Sequence, residues 1–440
     1  MKYKNREKAM ESIPEKKIAI FEYDWPFESF VKDLAVNFAK AGYSVDIFLW
    51  NIKGVSKNSN INQLFEIDNI RFFEFSSTLD WKLKLKRKYI RLRNILSKYF
   101  PIKFIKKPED IIDPDVLLES KRIISNNNYE SLIGIEKKGL IWAGLLSDDK
   151  PCPIIYYSLE LYIEDHPQYD EFFHLRMAEK KYHQKSFATI VQDKIRGDIL
   201  LKANEISTTN VLLFPISVSG PTIKEKSDFI QKLFGINKDI KVVLYFGALF
   251  RSRFVREVIN LSDELNEGFA VVLHGFTRKA KEQKKIVHTA NKHNNVFVSL
   301  NMLPENDIYR LISSANIGLA LYRTTNANEN HVAFSSAKLA YYTQCGIPII
   351  AFETESFSTL MGKYRCGELI NSIDEIPEKI KQISQNYDFY QKNSFLAYEE
   401  FYNYEKNFSS FLKEYTEIIT NYYCKGFGNN PKKNADQYGK

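Results

Sequence analysis

A chain of 440 residues is too long for one ordinary domain and predicts two or three. With 44% hydrophobic and 26% charged residues it has the composition of a globular protein with sizeable cores, which excludes the disordered and fibrous classes. The net charge of +8 is a local device: eleven Lys and Arg and no acidic residue fall between Lys82 and Lys107, so the remainder is net negative and a general polyanion binder is not expected.

The opening stretch, MKYKNREKAMESIPEKK, has no apolar centre and does not read as a secretory signal. KKIAIFEY (Lys16–Tyr23) is a buried-strand candidate, Ser29–Gly42 has helical spacing and closes on glycine, and SVDIFLWN (Ser44–Asn51) is a second strand. Strand, helix, strand is a βαβ unit and implies a parallel sheet. Further strands are expected at Ile70–Phe75, Ser131–Glu136, Pro153–Glu160, Phe187–Gln192 and Asn210–Pro215. Ile216–Lys226, with Gly, Pro and Ser, looks like a domain junction, and a short helix follows. The pattern then restarts, with strands at Lys241–Gly247, Ala270–Phe276, Asn295–Leu300, Ile317–Tyr322 and Ile347–Phe352. These runs are nearly all apolar, as when helices cover both faces of a sheet. Residues from about Glu375 to Tyr423 read as helical, and the polar tail after Cys424 as disordered.

The expected domains are therefore 1–218, 219–423 with the terminal helices, and the tail 424–440. No apolar run reaches the roughly 18–20 residues that span a bilayer. Cys152, Cys345, Cys366 and Cys424 lie far apart without paired spacing and read as reduced thiols in a cytoplasmic protein.

Open parallel sheets bind ligands beyond the carboxyl ends of their strands. In the first domain that rule selects Glu22, Asp24, Glu136, Lys137, Glu160, Gln192 and Asp193. In the second it selects Arg251, Arg253, His274, Tyr322, Arg323, Glu353 and Glu355. The most informative segment is HVAFSSAKLAYYTQCGIPII (His331–Ile350), where Ser335, Ser336 and Lys338 fall at the turn from loop to helix. A helix start offers free N–H groups and the positive end of the dipole, so two hydroxyls and an ammonium there suit a diphosphate. The plainer alternative is that a serine caps the helix and Lys338 is solvated. Gly247 lets the backbone approach a ligand, and Arg251 or Arg253 could neutralise a leaving diphosphate. Glu160 is the leading candidate for an acceptor base, with Asp24, Glu136 and Asp165 as alternatives.

YFGALFRSR, VVLHGF, NVFVSLNMLPENDIYRLISSANIGLALY and SSAKLAYYTQCGIPIIA together resemble the donor-binding domain of GT-B glycosyltransferases of the group-1, family-four-like branch. The opening βαβ unit and IIYYSLELY are similar to its first domain. The resemblance spans about residues 16–420 and implies two Rossmann-like domains with parallel sheets facing across a cleft. It further implies metal-independent transfer from a nucleotide sugar, with no cofactor. Better-known members carry two glutamates in the last segment, whose slots here hold Ala333 and Tyr341; the sequence resembles relatives with a Ser-Ser-x-Lys element, and Glu329 or Asn330 are substitutes for the missing contacts.

KLKLKRKYIRLRNILSKYFPIKFIKK (Lys82–Lys107) sets Leu85, Tyr89, Leu92, Leu96 and Tyr99 at helical spacing. It reads either as an amphipathic helix on its own domain or as a surface for anionic lipid or a lipid-linked pyrophosphate, with no nucleic-acid module beside it. The expectation is transfer of a sugar to a glycan or lipid-linked acceptor at the cytoplasmic membrane face. The alternatives are a sugar-nucleotide epimerase or polyol-phosphate transferase on the same fold, and a non-catalytic carbohydrate-binding or scaffold protein.

Overall fold

A computed structural model describes residues 16–23, 29–50, 64, 66–75, 108, 111–164, 171–249, 254–265, 268–277, 279–301 and 303–424. Asp24, Asp165, Arg251, Arg253, the stretch Lys82–Lys107 and the tail after Cys424 lie outside them. The chain forms two compact units, Met1–Phe214 with Phe408–Lys440, and Pro215–Asn407.

Unit 1 carries a seven-stranded sheet: β1 (Lys17–Glu22), β2 (Ser44–Trp50), β3 (Ile70–Phe75), β4 (Ser131–Ile135), β5 (Ile154–Tyr157), β6 (Ala188–Val191) and β7 (Asn210–Leu213). The order is β3-β2-β1-β4-β5-β6-β7, with every pairing parallel. The helices are α1 (Ser29–Lys40), α2 (Pro114–Ser125), α3 (Glu136–Ser147), α4 (Glu171–His183) and α5 (Lys194–Ala203). Asp46 on β2 is buried and takes Arg71 of β3 at 2.6 Å, Lys17 of β1 at 3.3 Å and the Tyr129 hydroxyl at 2.5 Å. Three strands are thus pinned by one carboxylate whose buried charge is fully partnered. Helix α3 lies close over β1, because a β-carbon on Gly139 would overlap the carbonyl oxygen of Phe21.

Unit 2 carries six parallel strands: β8 (Lys241–Ala248), β9 (Phe269–Phe276), β10 (Val296–Ser299), β11 (Ile317–Ala320), β12 (Ile349–Phe352) and β13 (Gly367–Ile370). Their order is β10-β9-β8-β11-β12-β13. The helices run α6 (Phe229–Phe234), α7 (Val255–Leu261), α8 (Ala280–Ala290), α9 (Glu305–Ser313), α10 (Ala327–Asn330), α11 (Ala337–Gln344), α12 (Glu355–Tyr364), α13 (Ile376–Gln385) and α14 (Tyr387–Ala397). Along β8, Val242 and Leu244 join one apolar cluster while Val243 and Tyr245 join another. Alternate residues burying into separate cores is the signature of a sheet covered on both faces.

The terminal helix α15 (Tyr404–Cys424) departs from the sequence expectation, which placed it with the second domain. From Phe408 onward it belongs to unit 1. Phe408, Phe411, Tyr415 and Ile419 repeat at helical spacing and are buried. Phe411 stacks on Phe214 at 4.8 Å and Tyr415 meets Phe38 at 5.2 Å. The first unit also ends at Phe214, a few residues before the expected boundary.

Candidate functional site

Each sheet reverses its winding once, and a crevice opens at that point beyond the strand ends. In unit 2 the reversal lies between β8 and β11, whose pairing register ends at Tyr245 opposite Leu319. Past that pair the strands part, and the Tyr342 hydroxyl of α11 fills the gap. It accepts from the Phe246 N–H at 3.2 Å and donates to the Leu244 carbonyl at 3.0 Å, so main-chain groups that lose their ladder partners find a buried one. Burial raises the Tyr342 phenol well above its ordinary range, so it stays a neutral donor.

The same helix presents the polar groups singled out by the sequence. Ser336 stands at its N-cap position yet makes no side-chain cap hydrogen bond. Its hydroxyl lies 2.6 Å from that of Tyr322, just past β11, and both residues are buried. The capping alternative for Ser336 therefore does not describe this structure. Ser335 ends a 3₁₀ turn, Ala333–Ser335, in which its N–H donates to the Val332 carbonyl at 3.0 Å and its hydroxyl donates to the same carbonyl at 3.3 Å. Lys338 is half-buried, with its ammonium 5.0 Å from the ring centroids of both Tyr245 and Tyr322. Two aromatic faces hold the ammonium in place by cation–π attraction.

Gly247 completes this edge. Its φ of 117° suits glycine alone, and a β-carbon there would stand 3.5 Å from Cε and 3.9 Å from Nζ of Lys338. The bare backbone therefore passes directly beneath the ammonium. On the neighbouring strand, His274 is buried, stacks parallel to Phe246 at 5.8 Å, and has a buried Nδ1 with no hydrogen-bond partner among the described residues. Desolvation pushes its imidazole down to about 4, so at neutral pH it is an uncharged hydrogen-bonding group. The structure thus brings together Gly247, Tyr322, Ser336 and Lys338, with His274 beside Phe246. Sequence reasoning missed Tyr245 and Tyr342, whose roles depend on the fold; the signal open to it was a polar hydroxyl inside an otherwise apolar helix face.

In unit 1 the reversal lies between β1 and β4. Glu136, the first residue of α3, is half-buried, and its Oε1 accepts from the N–H groups of Leu159 and Glu160 at 2.5 and 2.8 Å. Those bonds turn the chain aside, so β5 stops at Tyr157 and does not run on to Glu160 as expected. Glu160 itself is exposed. Among the described residues no group of three or more His, Cys, Asp or Glu side chains could hold a metal ion, and no helix is long and apolar enough to cross a membrane.

Residues 255–398 match a family model, "Glucosyltransferase 3-like, C-terminal domain". Solved structures match along almost the whole chain. Sucrose-phosphate synthase from Thermosynechococcus elongatus aligns at a TM-score of 0.68 and 15% identity, covering 92% of this chain and 100% of that one. A glycosyltransferase from Rickettsia africae aligns at 0.67 and 13%, covering 92% and 99%. Anabaena HepE, in complex with UDP-glucose, aligns at 0.64 and 13%, covering 91% and 99%.

The fold is GT-B.

At these identities the likeness is one of architecture, and no curated protein matches the sequence significantly. In GT-B terms unit 2, which contains the matched segment, is the second Rossmann-like domain, and unit 1 is the first.

Proposed function

We propose that this GT-B chain is a glycosyltransferase that takes its sugar from a nucleotide sugar and delivers it to a glycan or a lipid-linked glycan. The observation that carries the reading is Lys338, held between two tyrosine rings above the bare backbone of Gly247 at the switch point of unit 2. An ammonium, a helix N-terminus and a buried hydroxyl converging on a glycine edge are what a diphosphate requires. Ser336 and Lys338 bind the diphosphate, Tyr322 orients Ser336, and Ser335, Arg251 and Arg253 add further donors. His274 offers a neutral hydrogen bond to the sugar or nucleoside. The leaving diphosphate is balanced by these groups and the helix dipole, and no metal is called upon. The match to the Glucosyltransferase 3-like model and the UDP-glucose bound by HepE make a UDP-hexose the first donor to test. The acceptor is assigned to the first domain, and the basic stretch Lys82–Lys107 to an anionic surface on the cytoplasmic face of the membrane.

The test is a thermal-shift series with UDP, GDP, CDP, ADP and their sugar conjugates, run on the wild type and on Lys338→Ala. A ligand that binds only the folded state at 100 times its Kd adds about 2.7 kcal/mol and raises the melting temperature. One nucleotide is expected to do so in the wild type and to fail in Lys338→Ala, whose own melting temperature is unchanged. Binding of no nucleotide would favour a carbohydrate-binding protein, and conversion of a nucleotide sugar with no acceptor present would indicate an epimerase.

A further inference from the structure

Glu136 sits at the switch point of unit 1, one residue beyond β4, with a backbone φ of 55°. The left-handed region is strained for a glutamate and persists only where the surroundings enforce it. Here they do so from two sides. On its own helix, Lys137 pairs at 3.3 Å with Glu179, which is fully buried and also takes Arg176 at 3.0 Å and the Tyr156 hydroxyl at 2.9 Å. At the end of the neighbouring strand β5, the segment 158–160 is fixed by Gln192, which donates to the Ser158 carbonyl at 2.8 Å, and by Arg196, which donates to the Leu159 carbonyl at 2.7 Å. Arg196 and Gln192 are joined by a 2.7 Å hydrogen bond, and both are buried.

Two rigid frames thus aim one carboxylate at the ligand edge of the sheet. The hydrogen bonds described for it both fall on Oε1. Tethering a loop requires one acceptor oxygen, which an amide would supply equally well. A carboxylate leaves Oε2 for another task.

We propose that Glu136 is the acceptor-side base of the transfer, with Oε2 receiving the proton of the acceptor's reacting hydroxyl. As the acceptor's hydroxyl oxygen bonds to the anomeric carbon of the donor sugar, the bond from that carbon to the diphosphate oxygen breaks. The electron pair leaves with the nucleoside diphosphate. The inference rests on the glycosyltransferase reading, which supplies the nucleotide sugar. Desolvation pushes the Glu136 carboxyl up to about 7, against the pull of Lys137 and the two N–H donors and with the help of the Glu160 charge. Tyr156 and Tyr157 of β5, as neutral phenols, and Arg196 of α5, as a cation, lie within electrostatic reach of it. A base poised near neutrality is the form general-base catalysis favours.

Glu136→Gln separates the two oxygens, because the amide keeps the Oε1 acceptor and loses the base; Glu136→Ala loses both. The assay uses the nucleotide sugar that shifts the wild-type melting temperature, with p-nitrophenyl glycosides of glucose, galactose and N-acetylglucosamine as acceptors. In Glu136→Gln, kcat is expected to fall on the order of 100-fold or more while the nucleotide-induced shift stays unchanged. The wild-type rise in kcat through about pH 7 is expected to disappear. Should Glu136→Gln keep the wild-type rate and pH profile while Glu136→Ala fails, Glu136 is a tether and the inference is overturned with the transferase reading intact. A wild type that binds no nucleotide and transfers no sugar overturns that reading, and the inference falls with it.

Discussion

A β-carbon on Gly275 would overlap the carbonyl oxygen of Gly247, its partner in the β8–β9 register. Main-chain oxygen cannot swing aside as a flexible side chain can, so Gly275→Ala must push the end of β8 away. It is expected to lower the unfolding free energy by about 1–3 kcal/mol and to weaken nucleotide binding, since Gly247 is the floor beneath Lys338. Gly247→Ala forces an alanine into φ 117°, and that backbone strain at the floor beneath Lys338 should show the same pair of losses. Urea denaturation with and without nucleotide measures both. Wild-type stability in Gly275→Ala would mean that the two strands are not this close.

The hydroxyl pair of Tyr322 and Ser336 supports a double-mutant cycle. A buried neutral hydrogen bond contributes about 0.5–1.5 kcal/mol, and the cycle isolates that pairwise contribution. Ser336→Ala should therefore be costly in the wild type and nearly neutral in a Tyr322→Phe background. If it costs the same in both backgrounds, Ser336 acts as a helix cap, contrary to the bonding described.

How much of this was readable in the sequence depends on whether a feature is local. β8, β9, β11 and β12 announce themselves as apolar runs, because both their faces are covered. β13, reading Gly-Glu-Leu-Ile, has half-buried residues at its middle and sits at the sheet edge, so four residues gave no clear run. The stripe on α15 shows that a face is buried but not which core receives it. Ser336 and Lys338 are visible as a pair because loop, hydroxyl, ammonium and helix are consecutive. Tyr245 and Tyr342 reach the same edge from a strand and from the middle of a helix, and only the topology brings them there. Glu136 and Glu160 look alike as strand-end carboxylates, but the main chain points Oε1 of one at the N–H of the other.

Tyr342→Phe tests the filling of the crevice between β8 and β11. The substitution preserves the ring that packs against Gly318 but removes the partner of the Phe246 N–H and the Leu244 carbonyl. Leaving such buried groups unsatisfied costs about 1–3 kcal/mol. Thermal unfolding should show that loss, and amide hydrogen exchange at Phe246 should speed up. Unchanged exchange there would mean that the N–H has another partner.

Glu130 gives the terminal helix a pH-dependent attachment to the first sheet. The residue is buried, its Oε1 accepts from the Tyr415 hydroxyl at 2.7 Å, and its backbone carbonyl accepts from Tyr423 at 3.0 Å. Desolvation pushes its carboxyl from 4.5 up to about 7, the Tyr415 hydrogen bond and the Lys16 charge opposing it. The folded state then binds the proton more tightly than the unfolded chain does. Stability is full below the unfolded value of 4.5, falls as pH rises toward 7, and carries the whole penalty above it. One pKa unit corresponds to about 1.4 kcal/mol, so the ceiling is about 3 kcal/mol. Glu130→Gln keeps an acceptor for Tyr415 and cannot ionise. The difference in unfolding free energy between the two proteins should therefore move in favour of the variant between about pH 4.5 and 7 and level off above. Subtracting the profiles removes Glu136 and every other group that titrates in the same range. A difference that stays flat across that interval would show that Glu130 keeps an ordinary carboxyl when the helix is docked.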